Sequence, residues 1–129
     1  MKIKEIPMPI CELCDRLTIA QLKLARLDET QINKKELQAQ INYYAKGVDI
    51  DNIDLRNLVF QLHAINGKMW DAEHEIRKGL DDDLGLEEVG RRALAIRDLN
   101  RERIAIKNKI TDLVGQPEFK DCKMNHASS

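Results

Sequence analysis

The sequence predicts an all-α protein: an antiparallel four-helix bundle with two short helices, two long helices and a short extended N-terminal arm. Apolar residues recur at three- and four-residue spacing along four stretches, the pattern of helices that bury one face. Charged residues make up 33% of the 129-residue chain and aromatic residues 4%, a balance typical of helices with an aliphatic core. Gly and Pro residues separate the stretches, as expected of helix ends.

The first half of the chain holds the arm and the two short helices. Residues 1–8 alternate apolar and polar side chains, and Pro9 suits the first turn of a helix that ends near Asp28. This helix is apolar on more than one side, which predicts that several neighbours cover it. The second helix is predicted over about residues 34–46, before Gly47, which suits a C-terminal cap.

The third helix carries the longest apolar row of the chain. Asp51 or Asn52 is its expected N-cap, and Lys78 or Gly79 its expected end. The row keeps unbroken helical spacing and consists of Leu55, Leu58, Leu62, Ile65, Met69, Ala72 and Ile76. Such a row predicts one face packed against the other helices.

The fourth helix is predicted to begin between Leu84 and Glu88 and to end near Val114. Gly115 follows as a terminator, and Arg103 interrupts its otherwise apolar row. We expect one domain over residues 1–115 and a loose tail over residues 116–129.

A short link should make the two long helices antiparallel. That arrangement places Glu73 opposite Arg92, Asn66 near Asn100 and His63 near Arg103, within about one helical turn.

Charge and composition limit the function classes. The formal net charge is −1 and the pI about 6.3, which argues against nucleic-acid binding. No apolar stretch reaches bilayer length and no signal-peptide core is evident, so we expect a cytoplasmic protein without a membrane partner. Residues 71–88 hold eight acidic and two basic residues, a net −6; residues 91–109 hold seven basic and two acidic residues, a net +5. These blocks can satisfy each other across a hairpin or between protomers.

Polar side chains beside the apolar rows form the candidate ligand site. The set is Trp70, Glu73, Arg92, Asn100, Arg103 and Lys107. In one interpretation the basic residues bind a phosphate or carboxylate, Trp70 stacks on a ring, and Glu73 orients the guanidinium groups. In the other, the row is a partly buried Arg–Glu network that sets helix register, with Trp70 in the core. The pattern leaves both open.

Cysteine and histidine residues suggest one metal set. Cys11 and Cys14 form a C-x-x-C pair, and a folded-back tail would add Cys122 and His126 as zinc ligands. Alternatively, Cys14 is a small core residue and the tail is free. A single C-x-x-C is unspecific, so we expect neither a metal nor another cofactor.

Several short segments resemble one known family. They are Glu12–Ile19, Lys23–Leu27, Trp70–Arg77, and Asn100–Arg103 with Lys107. Together they resemble small helical proteins of bacteria and phages whose function is unknown, which open with a Glu-x-x-Asp-Lys-Leu-Thr-Ile-type helix and carry a Trp-Asp-x-Glu-type segment. The resemblance spans about residues 5–115 and draws attention to Asp15, Lys23, Trp70, Glu73, Asn100, Arg103 and Lys107. The chain departs from the pattern at Cys11, where Gly is usual, and at Arg16, where Lys is usual.

The resemblance implies the helical fold and no particular activity. We therefore expect a non-enzymatic cytoplasmic binding or adaptor protein that forms a homodimer or higher oligomer, because the long helices exceed what the short ones can cover. The candidate site adds an anionic small-molecule pocket for a nucleotide or sugar phosphate. The alternative is an enzyme acting on a nucleotide or other phosphorylated substrate at the Trp70/Glu73/Arg103 row.

Overall fold

The computed structural model describes residues 7–81 and 85–120, and this part of the chain is all-helical, as predicted. Its α-helices are α1 (Ile10–Arg26), α2 (Lys34–Ala45), α3 (Ile53–Asp81) and α4 (Leu86–Leu113), followed by a 3-10 turn at Pro117–Phe119. None of the helices, within the described ranges, is long and apolar enough to cross a membrane.

Helix α1 lies at the centre of the packing and contacts α2, α3 and α4. Its buried residues point in several directions, as expected for a helix covered on more than one side; they are Cys11, Cys14, Asp15, Leu17, Thr18, Ala20 and Leu22. The predicted central position of this helix is therefore confirmed. Two of these buried residues, Asp15 and Thr18, are polar.

Helix α2 packs on α1 through Leu37 and Ile41, which are both buried. The Asn33 side chain caps its N-terminus by accepting a hydrogen bond from the Glu36 backbone N–H (3.1 Å). The loop after α2 lies so close to α1 that a Cβ on Gly47 would stand 2.6 Å from Leu13 Cδ1. Gly47 thus permits a close approach between loop and helix.

Helix α3 begins as predicted, because Asn52 Oδ1 accepts a hydrogen bond from the Leu55 backbone N–H (3.1 Å). The helix continues to Asp81, slightly beyond the expected end. Its first half is well buried: Leu55 is 3% exposed, Leu62 0% and Ile65 4%.

The second half of α3 and the first half of α4 form a less covered region, here called the distal arm (residues 68–78 and 86–98). The predicted row continues through it, yet Met69, Ala72 and Ile76 are only half-buried. On α4, Leu86 is 90% exposed and Leu94 51%. No residue of these two segments is classed as buried. The apolar row of the distal arm is therefore incompletely covered.

The C-terminus of α4 is closed by Gly115, which has φ 73°. Gly115 N–H donates to the Asp112 carbonyl (3.3 Å) and Gln116 N–H to the Thr111 carbonyl (3.0 Å), the Schellman pattern. Gln116 Oε1 in turn accepts a hydrogen bond from the Ile10 backbone N–H (3.0 Å). The end of α4 thus satisfies a free donor at the start of α1.

The predicted N-terminal arm lies mostly outside the described residues, as does the tail beyond residue 120. The first part of the predicted loose tail instead contacts α4, since Lys120 Nζ lies 2.8 Å from Asp112 Oδ1.

Candidate functional site

A buried carboxylate, Asp15 of α1, is the centre of the polar side chains between the helices. It is 3% exposed and lies beside Thr18 (0%) and Asn66 (6%). Asn66 Nδ2 donates to Asp15 Oδ1 (3.0 Å) and to Thr18 Oγ1 (2.9 Å), while the Thr18 hydroxyl donates to the Asp15 carbonyl (2.8 Å). These contacts join α1 to α3 through hydrogen bonds within an otherwise apolar core.

Arg103 of α4 completes this group. Its Nε donates to Asp15 Oδ1 (3.0 Å), and its Nη2 donates to Asp15 Oδ2. Its Nη1 donates to Asn100 Oδ1 (3.2 Å) on the same helix. The two-point contact between guanidinium and carboxylate fixes the orientation of both groups and ties α4 to α1.

The ionisation of Asp15 reflects this setting. Burial alone would raise its pKa, but the hydrogen bonds from Arg103 and Asn66 and the positive charges of Arg103 and Lys107 outweigh burial and hold the pKa below its ordinary value. Asp15 is therefore a carboxylate at neutral pH.

A second cation, Lys107, pairs with Glu12 one helical turn before Asp15. Lys107 is 5% exposed, and its Nζ lies 2.6 Å from Glu12 Oε1. The Thr111 hydroxyl donates to the Lys107 carbonyl (3.0 Å). Among the described side chains, every buried nitrogen or oxygen has a hydrogen-bond partner. The core thus holds charged groups that its own residues satisfy.

Arg92 is far from this group, in the distal arm. Its Nε donates to Glu88 Oε1 (3.1 Å), and its Nη1 donates to the Glu75 carbonyl (2.6 Å). Near the other end of α1, Arg26 Nη1 lies 2.6 Å from Asp71 Oδ1 and contacts the Gly67 carbonyl (3.3 Å).

The contact between Arg92 and α3 lies within the one-turn tolerance of the expected register. Arg92 contacts Glu75, two residues along α3 from the expected Glu73, and Arg103 and Asn66 both contact Asp15. The carboxylate partner of Arg103 thus comes from α1, which the register argument left out.

Three of the candidate residues do share a cleft. A space of ≈ 320 Å³ opens beside the Asp15–Arg103 pair and is lined by Ile19, Leu22, Asn66, Met69, Trp70, Glu73 and Arg103. Arg92, Asn100 and Lys107 are not among its described lining residues. Of the six candidate residues, Trp70, Glu73 and Arg103 therefore line one cleft, and Asn100 contacts Arg103.

The cysteines of α1 are core residues. Cys11 is 4% exposed and Cys14 0%, and burial, followed by the nearby charges of Cys11 and Asp15, raises the pKa of the Cys14 thiol to about 12. The described residues contain no cluster of three metal-binding side chains. Cys122 and His126, the rest of the zinc set, lie outside the described residues.

Comparison with known proteins finds no match: no protein-family model, curated protein or solved structure is similar to this chain.

Proposed function

We propose that this protein is a non-enzymatic binding or adaptor protein that acts by self-association, with a second copy covering the distal arm. The observation that supports it is the change of burial along α3. Leu55, Leu62 and Ile65 are buried, whereas Ala72 and Ile76 of the same apolar row are only half-buried. Two helices alone cannot bury the face that each presents, so the row favours a further layer.

Contacts between α3 and α4 support an antiparallel hairpin as the basis of this arm. A groove of ≈ 570 Å³ is lined by Asp54 and Leu58 from the start of α3 and by Asp112 and Leu113 from the end of α4. At the other end, Arg92 contacts Glu75. Arg26, the last residue of α1, contacts Gly67 and Asp71, so the part of the arm beyond Asp71 extends past the end of α1.

Charge favours a second copy of the same chain as the cover. Residues 71–88 carry a net −6 and residues 91–109 a net +5. A two-fold dimer interface uses the same surface of both protomers, running in opposite directions. The acidic block of one protomer can then lie against the basic block of the other.

The ion pairs within the chain weigh against the alternative of an enzyme for phosphorylated substrates. An anion in the cleft would compete with Asp15 for Arg103, and Lys107 is already paired with Glu12. The anionic ligand, the family resemblance and the cytoplasmic location stay predictions.

Leu94→Glu tests the proposal because it replaces an apolar residue of the distal arm that is 51% exposed with a charged one. Sedimentation equilibrium of the wild type should give a multiple of the 14.9 kDa chain mass. We expect the variant to shift toward the single-chain mass, since burying an unpaired carboxylate opposes association.

The matched control is Phe60→Glu, which changes a 67% exposed aromatic residue outside the arm and should leave the mass unchanged. A wild type that stays at 14.9 kDa at every concentration would overturn the proposal. Dissociation by Phe60→Glu alone would move the interface to the start of α3.

A further inference from the structure

The cleft beside the Asp15–Arg103 pair has the size and lining of a small-molecule site. Its volume of ≈ 320 Å³ falls at the lower end of the range for ligand pockets. Ile19, Leu22 and Met69 supply apolar walls, and Trp70 supplies an indole. Helices α1, α3 and α4 each contribute lining residues, so the cleft is built by the packed core and not by a loop.

The net charge at this cleft is negative, although an arginine lines it. The Arg103 guanidinium contacts both oxygens of Asp15, and the two formal charges cancel. The Asn66 amide donates to Asp15 and Thr18. Glu73 takes part in no ion pair or hydrogen bond with any residue that the structure describes. The uncompensated charge of the cleft is thus the Glu73 carboxylate.

We infer that this cleft binds an organic cation with an apolar body, such as a substituted ammonium. The cationic head would lie between the Glu73 carboxylate and the Trp70 indole, the aromatic side chain that attracts cations most strongly. The apolar body would cover Ile19, Leu22 and Met69, which gain from losing contact with water. An anion would instead meet the Glu73 charge and find Arg103 already paired. A ligand site goes beyond self-association, and its ligand is a cation, whereas the sequence pattern predicted an anion.

Trp70 makes the inference testable without a label, because it is the one tryptophan of the chain. Its fluorescence would be followed during titration with benzyltrimethylammonium, with benzyl alcohol as the neutral probe and benzoate as the anionic one. We expect a saturable change with the cation and at least about threefold to tenfold weaker binding of the other two.

Two substitutions of Glu73 and one control substitution test how the charge of the Glu73 carboxylate affects binding. Glu73→Gln should weaken cation binding about threefold to tenfold, and Glu73→Lys should make benzoate the better ligand. Glu102→Gln removes another exposed carboxylate that lines no part of the cleft and should bind as the wild type does. Circular dichroism of each variant confirms folding, and Glu73 is exposed, so the fold should tolerate both changes.

Equal responses to benzoate and to the cation, no saturable response to the cation, or unchanged cation binding by Glu73→Gln would each overturn the inference. Self-association is measured separately by sedimentation of the unliganded chain. A monomeric wild type that still binds the cation would reject the proposed self-association and support the ligand site. An oligomeric wild type that does not bind the cation would reject the ligand site and support self-association.

Discussion

At the scale of single residues, the Asp15–Arg103 pair links the two helices whose packing positions the cleft. Asp15 is buried and Arg103 is partly buried, so their contact operates in a less polar medium than water. Asn66 brings α3 into the same group. These hydrogen bonds favour one relative placement of α1, α3 and α4, because a shift by one residue would leave buried charges unpaired.

This pair also shows how far residue patterns predict a site. Arg103 on an apolar row indicated a carboxylate partner, and the structure contains one. The α3–α4 hairpin was expected to place Glu73 opposite Arg92 and His63 near Arg103, whereas the carboxylate partner of Arg103 is Asp15 of α1. Spacing along one helix identifies a face, but it does not say which distant helix covers that face. Asp15 did carry a signal, since it lies between the apolar residues Cys14 and Leu17 in the helical row that α1 buries.

The energetic link between Asp15 and Arg103 can be measured with a double-mutant cycle. Asp15→Ala and Arg103→Ala should each lower the free energy of unfolding by about 3 kcal/mol, because each leaves a buried or partly buried charge without its partner. The double variant should lose less than the sum, with a coupling of about 1–3 kcal/mol in urea unfolding. Arg91→Ala breaks only exposed ion pairs and should change stability by less than about 0.5 kcal/mol. Strict additivity would show that the pair does not couple the helices.

Acid should weaken the fold through the same carboxylate. The folded-state pKa of Asp15 lies below its unfolded value of about 3.9, so the unfolded state takes up the proton first as the pH falls. The contribution of Asp15 is therefore complete above the unfolded pKa and is lost as the pH falls through the folded pKa. Urea unfolding at pH values lowered from about 6 should show the start of this loss as the pH passes the unfolded pKa.

The matched variant for the pH experiment is Asp15→Asn, which should flatten part of the acid slope. It also separates Asp15 from the exposed Asp28, whose hydrogen bonds with Thr30 likewise lower its pKa. An unchanged slope in Asp15→Asn would contradict the assignment.

At the scale of elements, capping residues in the sequence predicted the ends of two helices well. Asn52 caps α3 and Gly115 closes α4, as their residue types predicted. Such signals act within one turn of backbone, so they do not depend on the rest of the fold. The register of α3 against α4 depends on side chains far apart in sequence, so the sequence predicted it only to within about one turn.

Two glycines of α4 offer a matched test of its end. Gly115 has φ 73°, where an alanine is strained, so Gly115→Ala should lower the free energy of unfolding by about 1 kcal/mol. Gly90 lies inside α4 with nothing within 4 Å of an added Cβ, so Gly90→Ala should stabilise by about 0.5–1 kcal/mol. Thermal or urea unfolding of both variants compares them directly. Equal effects of the two substitutions would contradict the described C-terminus of α4.

At the scale of the whole molecule, burial is uneven along the two long helices. Their halves beside α1 hold buried residues such as Leu62 and Ile110, each 0% exposed. The distal arm continues the same apolar row without comparable cover. The spacing of apolar residues predicted this row, but the length over which α1 covers it depends on tertiary packing. If a second copy covered the distal arm, the whole apolar row would be buried, as its spacing predicts.

Hydrogen–deuterium exchange at several protein concentrations tests this central proposal most directly, because it reports both association and its location. Raising the concentration through the association range should slow amide exchange in residues 68–78 and 86–98. Exchange in α2 should stay the same, since α2 packs only beside α1 in the described structure. Exchange that is independent of concentration throughout, or protection that appears at Ile53 and Phe60 instead of the distal arm, would contradict the proposal.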